Sequence, residues 1–222
     1  MTKYFDEELD ILKQSLLRMG GKAEAMIHMS VQALVQRDIM LAADLPALET
    51  EVNHLQLEID NRAFKLLALR QPMAHDLRFI ISAMKISVDL ERIGDQSINI
   101  IENTKILLQF PLLKPLIDIP RMADIAKDML RDSLDAFVDS DAAKAREVVT
   151  RDDEVDGLKN QVFRELLTYM ISDPLTIQVG LQLILVARHL ERIADHATNI
   201  AEDVVYLVEA KDIRHHAEEE QT

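Results

Sequence analysis

LERIGDQSINIIE (Leu90 to Glu102) and LERIADHATNIAE (Leu190 to Glu202) are one thirteen-residue segment written twice, with eight identities at a constant offset of 100. The likeness continues outward. MIHMSVQALVQRD (Met26 to Asp38) aligns with MLRDSLDAFVDSD (Met129 to Asp141) at an offset of 103, and the same offset pairs ETEVNHL (Glu49 to Leu55) with DDEVDGL (Asp152 to Leu158). The step from 103 to 100 places a three-residue deletion near RQPMAHDLRF and its counterpart ISDPLTIQVG. Two related units of about 100 residues therefore follow one another. A proline-punctuated joint, FPLLKPLIDIP (Phe110 to Pro120), separates them.

The units are helical. Five Gly, six Pro and 4 % aromatic residues leave few turn formers and little strand chemistry in a chain that is 48 % apolar. Each unit reads as three helices. The first runs from near the N-terminus to Gln36, with Gly20-Gly21 as a weak point, and its counterpart starts after Pro120, suitably placed for a first-turn proline. The second follows Asp38 or Asp141 as N-caps, with Pro46 predicted to kink the first copy where Val149 stands in the second. The third begins near Pro72 or Pro174 and carries the repeated segment. The expected fold is all-α, two tandem three-helix bundles: residues 1–109, a joint at 110–120, a second bundle at 121–213 and a disordered tail at 214–222.

On the third helix, at 100° per residue, Ile86, Ile93, Ser97 and Ile101 fall within about 60° of Leu90 and form a core stripe. Glu91, Asp95, Asn99 and Glu102 fall at about 100°, 140°, 180° and 120° from it, an outward stripe of oxygen donors. Glu191, Asp195, Asn199 and Glu202 repeat it, with His196 and Asp203 alongside. The second helix adds Glu49-x-x-x-Asn53 and Asp152-x-x-x-Asp156. Carboxylates four residues apart on a helix lie about 5–6 Å from each other and repel. One such pair is ordinary on an acidic surface. Four E/D-x-x-x-D/N pairs, two per unit at matched places, are harder to dismiss: if the second and third helices are neighbours, they present an all-oxygen site for a hard or borderline cation. The bland alternative is a solvated acidic face, with Arg92 and Arg192 as structural counter-charges. His189 and His196 lie near the stripe but align with Asp89 and Gln96, so each is at most a contributor. Histidines 28, 54, 75, 215 and 216 have no matching partner and read as surface or packing residues.

Composition excludes several classes. With 39 acids against 25 Lys plus Arg, the net charge of −14 disfavours nucleic acid and anionic lipid. No cysteine means no disulfide or thiolate site. The start, MTKYFDEELDILKQ, has no secretion-signal pattern, and the longest apolar run, near Leu183 to Ala187, is far too short to span a bilayer. A di-iron carboxylate enzyme needs Glu-x-x-His on each of two helices. Glu51-Val-Asn-His54 supplies one, but its counterpart is Glu154-Val-Asp-Gly157, so the expectation is a non-enzyme. A metal-free helical adaptor is the other alternative.

RQPMAHDLRFIISAMKISVDLERIGDQSINI, together with VARHLERIADHATNIAED, resembles the PhoU family of bacterial phosphate-signalling regulators. The likeness covers nearly the whole chain in the same tandem order. It implies two three-helix bundles with surface clusters of divalent or trivalent metal, iron or zinc foremost and Mg or Mn possible, held by E/D-x-x-x-D/N pairs. The matching positions are Glu49, Asn53, Glu91 and Asp95 in the first unit, and Asp152, Asp156, Glu191 and Asp195 in the second. Asn53 stands where the family has an acid, Ala194 replaces Gly94, and Asp76 to Arg78 have no clear twin after Pro174. The two sites are therefore expected to differ. The implied role is negative regulation of phosphate uptake and of the phosphate-starvation response. Such a protein couples the ATPase of the high-affinity phosphate ABC transporter to a phosphate-sensing histidine kinase. It would be a cytoplasmic homodimer held at the inner face of the membrane by its partners.

Overall fold

The computed structural model describes residues 2–70 and 72–214. The expected disorder at 214–222 falls, apart from Arg214, outside the described residues. Six α-helices account for nearly all of them, and none is a strand: α1 (Thr2–Val35), α2 (Leu45–Arg70), α3 (Ala74–Leu107), α4 (Asp118–Asp139), α5 (Ala142–Ser172) and α6 (Ile177–Glu209). Helices α1 to α3 form one bundle and α4 to α6 the second.

The ends follow local chemistry. Arg37 and Ser140, 103 residues apart, both take left-handed φ values, 55° and 53°, just beyond α1 and α4. The next amide in each copy then reaches back to cap the helix, Asp38 N to Ala33 O at 3.0 Å and Asp141 N to Ala136 O at 2.9 Å. From there the copies diverge. Asp141 caps α5, accepting from the amides of Ala143 and Lys144, whereas Asp38 caps only a 3-10 turn over Ile39–Ala42. Pro46 is the second residue of α2, where its missing N–H costs nothing, so the predicted kink is replaced by a later helix start.

The core stripe of the repeated segment is buried as predicted. Leu90, Ile93, Leu190 and Ile193 are fully inaccessible, and Ile86, Ser97 and Ile101 are buried with them. The two bundles, however, are not separate bodies. Helices α3 and α6 run antiparallel and pack on each other more extensively than any other pair, and α1 packs on α4. Gly20 belongs to that second contact: α1 passes through it unbroken, and a Cβ there would overlap Leu134 Cδ1 of α4. The expected weak point is thus a place of close helix approach. Phe79 of α3 stacks on Phe137 of α4, ring centroids 5.3 Å apart. Buried residues of all six helices form one continuous core, with α2 packed on α1 and α3 and α5 packed on α4 and α6. Among the described residues no helix is long and apolar enough to cross a membrane.

Candidate functional site

Helices α2 and α5 each meet the third helix of their own bundle, and there the eight predicted ligands gather in two groups. In the first, Glu49 on α2 stands close enough to Glu91 on α3 to act on its charge. Burial, then repulsion from Asp95, opposed by Arg92, with Glu49 adding to the repulsion, leaves the Glu91 carboxyl above its ordinary pKa. Arg92 flanks the pair from its exposed side, 3.5 Å from Glu91 and 3.3 Å from Asp95. Asn53 lies one turn along α2 from Glu49, and its Oδ1 is buried with no hydrogen-bond partner among the described residues.

In the second group, Asp152 and Asp156 on α5 face Glu191 and Asp195 on α6. Packing strips water from the Asp195 carboxyl, although part of the residue stays exposed. With repulsion from Glu191, Asp152 and Asp156, this pushes its pKa from 3.8 up to about 6. Asp152 is raised as well, by burial first and then by Asp156. Lys159 enters this group from α5, donating to Asp156 at 2.7 Å and to Glu191 at 2.8 Å.

These donors suit a hard cation: all are oxygens, they come from two helices, they repel one another, and one buried carbonyl oxygen lacks a partner. Among the described residues no three His, Asp or Glu side chains already converge on a point that would hold one ion. Side chains must therefore rotate before either group closes on a metal. The outward stripe also shortens to its first two members. Glu91 and Asp95 are half-buried toward α2, and Asn99 is exposed. Glu102 pairs with Lys105 at 2.7 Å.

Asp203 and both histidines belong to a third arrangement, the seam between the bundles. His196 Nδ1–H donates to Asp89 at 2.8 Å, and His189 Nδ1–H donates to Gln96 Oε1 at 2.8 Å. The repeat maps Asp89 onto His189 and Gln96 onto His196, so the two contacts are one contact seen twice about a pseudo-twofold axis between α3 and α6. Asn103 to Gln182 at 2.7 Å and Ser82 to the Asp203 carbonyl at 3.5 Å form a second such pair. Burial, then Arg192 and Arg188, push the His189 imidazole down, which keeps it neutral in this contact. The buried Asp203 carboxylate receives Lys85 from the other unit at 2.8 Å. Reading each unit by itself set His189, His196 and Asp203 beside the acidic stripe and missed their partners across the seam; the signal was a change of residue type between copies, legible only once α3 and α6 are known to pair. His196 acts on Glu91 of one cluster and on Asp195 of the other, so the seam lies between the clusters. The lone Glu-x-x-His is spread over exposed surface, with Glu51 paired to Lys22, and His54 exposed.

The raised Asp195 carboxyl gives a signed expectation. With its folded pKa near 6 and its ordinary value at 3.8, the folded state holds the extra proton between those values. Stability in chelator should then rise as pH falls through 6 and level off near 4. D195N mimics the protonated form. It should be more stable than wild type at neutral pH, with the difference closing on acidification. A difference that stays constant in thermal melts across this range would show that burial and neighbouring carboxylates do not raise the Asp195 carboxyl.

The PhoU domain model matches residues 16–104 and 119–204, one match in each bundle. A protein of Caulobacter vibrioides named phosphate-specific transport system accessory protein PhoU homolog is 46 % identical over 202 residues, covering 90 % of this chain and 88 % of that protein. A protein of the same description from Zymomonas mobilis is 40 % identical over 210 residues, covering 95 % and 89 %. The crystal structure of PhoU from Pseudomonas aeruginosa superimposes with a TM-score of 0.90 at 38 % identity, covering 93 % of this chain and all of that one. The phosphate transport system regulatory protein PhoU from Streptococcus pneumoniae gives 0.85 at 31 % identity, covering 94 % and 99 %. With both repeats, their order and the six-helix arrangement all matched, this chain belongs to the PhoU family.

Proposed function

We propose that this protein is an accessory regulator of phosphate transport. It restrains phosphate uptake and the starvation response by coupling the ATPase subunit of a phosphate ABC transporter to a phosphate-sensing histidine kinase. The observation that carries the reading is family membership over both repeats, with relatives named as accessory proteins of the phosphate-specific transport system. The surface is compatible with protein partners. At the α2–α3 turn Leu69 and Met73 are 75 % and 79 % exposed, and at the equivalent α5–α6 turn Ile171 and Leu175 are 74 % and 90 % exposed. Large apolar side chains at matched ends of the molecule are what a docking protein, or a second copy in a homodimer, would cover. On this reading the protein is no enzyme. It works in the cytoplasm at the membrane's inner face, held there by its partners.

The same reading assigns cations, iron or zinc foremost, to the two clusters. Glu49, Asn53, Glu91 and Asp95 would hold one set, and Asp152, Asp156, Glu191 and Asp195 the other. A bound cation would neutralise carboxylates that now repel and tie the second helix of each bundle to the third. Binding should therefore raise thermal stability by mass action. At saturating Mn2+, E91Q/D95N and E191Q/D195N should each keep roughly half of the wild-type ions, one cluster's share of two. Metal counted after gel filtration checks this. A full complement in both variants would remove these residues from the sites, and a solvated acidic face would bind nothing in any of the three proteins.

A further inference from the structure

The two clusters differ in one respect that their carboxylates do not explain. In the second, the ammonium of Lys159 lies 2.7 Å from Asp156 Oδ1 and 2.8 Å from Glu191 Oε1, one carboxylate from each of the two helices. A cation held between these two carboxylates would compete with Lys159 for the same oxygens. The repeat places Gln56 at the matching position of the first cluster, and glutamine brings no charge. The arginine beside the first cluster is no equivalent. Arg92 stands on the same helix as the Glu91 and Asp95 it touches, with a side chain 55 % exposed, and its contacts are 3.3 and 3.5 Å long. The Lys159 side chain is 26 % exposed and crosses between helices.

We infer that Lys159 is a counter-cation built into the second cluster, and that an added metal ion binds there only by displacing it. The inference rests on the metal reading above. Two charge-assisted hydrogen bonds in a partly desolvated place are strong enough to compete with an incoming ion. No backbone change is needed to release them, because the lysine stem can swing to solvent. The first cluster lacks such a group, so its repulsion is relieved only by a cation from solution. The repeat thus yields one cluster that answers to metal directly and one whose apparent affinity its own chain sets. The loss of an acid at Asn53, which by charge alone would make the first cluster the weaker, is offset by the lysine at the second.

The test isolates the second cluster in E91Q/D95N and titrates it with Mn2+, following free ion by its paramagnetic resonance. Adding K159Q should tighten binding by roughly tenfold or more, the scale expected for losing a competing bridged ion pair. K159R, which keeps a charge able to bridge, should bind as weakly as the parent. R192Q is the comparator, because Arg192 adjoins Glu191 in sequence and lines the surface beside Asp195 without touching the Lys159 bridge to Asp156 and Glu191. It removes one positive charge from the neighbourhood without vacating the bridge. A gain from K159Q no larger than that from R192Q would reduce Lys159 to background charge and overturn the inference. So would an unchanged dissociation constant. If E91Q/D95N binds only once K159Q is added, displacement is supported in its strongest form. If neither binds while E191Q/D195N still does, the inference fails and the metal reading survives at the first cluster. If wild type binds no Mn2+, both fall together. Melting without metal is a second readout: K159Q should lower the melting temperature and make it steeply dependent on Mn2+, whereas equal melting curves count against the bridge.

Discussion

A strain from which this gene is deleted is expected to transcribe its phosphate-starvation genes in phosphate-rich medium, at the level the parent reaches only when starved. Restoring the chain should switch them off again. The expectation follows from the proposed role as the link between transporter and kinase: without the link, plentiful phosphate no longer reaches the kinase as an off signal. Reporter expression at high phosphate measures it directly. Normal repression in a deletion strain with no second copy of the gene would end the regulator reading, whatever metal the protein holds. Complementation with E91Q/D95N/E191Q/D195N then asks whether the clusters serve signalling or only stability. Repression restored to the wild-type level by this variant would assign them to stability alone.

The second large effect concerns the core. Leu90 and Leu190 hold corresponding places in the two copies, and both are fully buried. Truncating either to alanine should cost about 2–5 kcal/mol, the range for deleting a buried leucine where the surroundings cannot collapse into the space. More telling is how that loss is shared. Helices α3 and α6 pack on each other across the bundles, with Asp89 and His196, Gln96 and His189, and Lys85 and Asp203 joined along the contact. Urea melts of L90A and L190A should therefore each show one cooperative transition, with probes in either bundle giving the same midpoint. A variant whose own bundle unfolds first, leaving the other intact, would show that the seam does not couple them.

The sequence by itself determined the parts that depend on periodicity and repetition. Leu90, Ile93, Ser97 and their counterparts had to be buried, because a 3.6-residue period gathers them on one stripe. The four E/D-x-x-x-D/N pairs were legible because they recur at matched places in both units, one on the second helix and one on the third; that these two helices are neighbours was decided by the fold. Short connections then left three helices per unit little choice but a bundle. What the sequence could not express is a relation between distant segments that has no period. Asp38 and Asp141 are the same residue at matched positions, yet one caps a long helix and the other a single turn, because Pro46 moves the start of α2. Gly20 looked like a break and is a contact, since the side chain that needs its space, Leu134, sits in the other unit. His189 and His196 align with Asp89 and Gln96, residues of other types, because each answers a residue across the seam. Lys159 likewise reads as one more surface lysine until α5 and α6 come together. Only then does its ammonium lie between two carboxylates from different helices, a position that chain folding creates and no local spacing can specify.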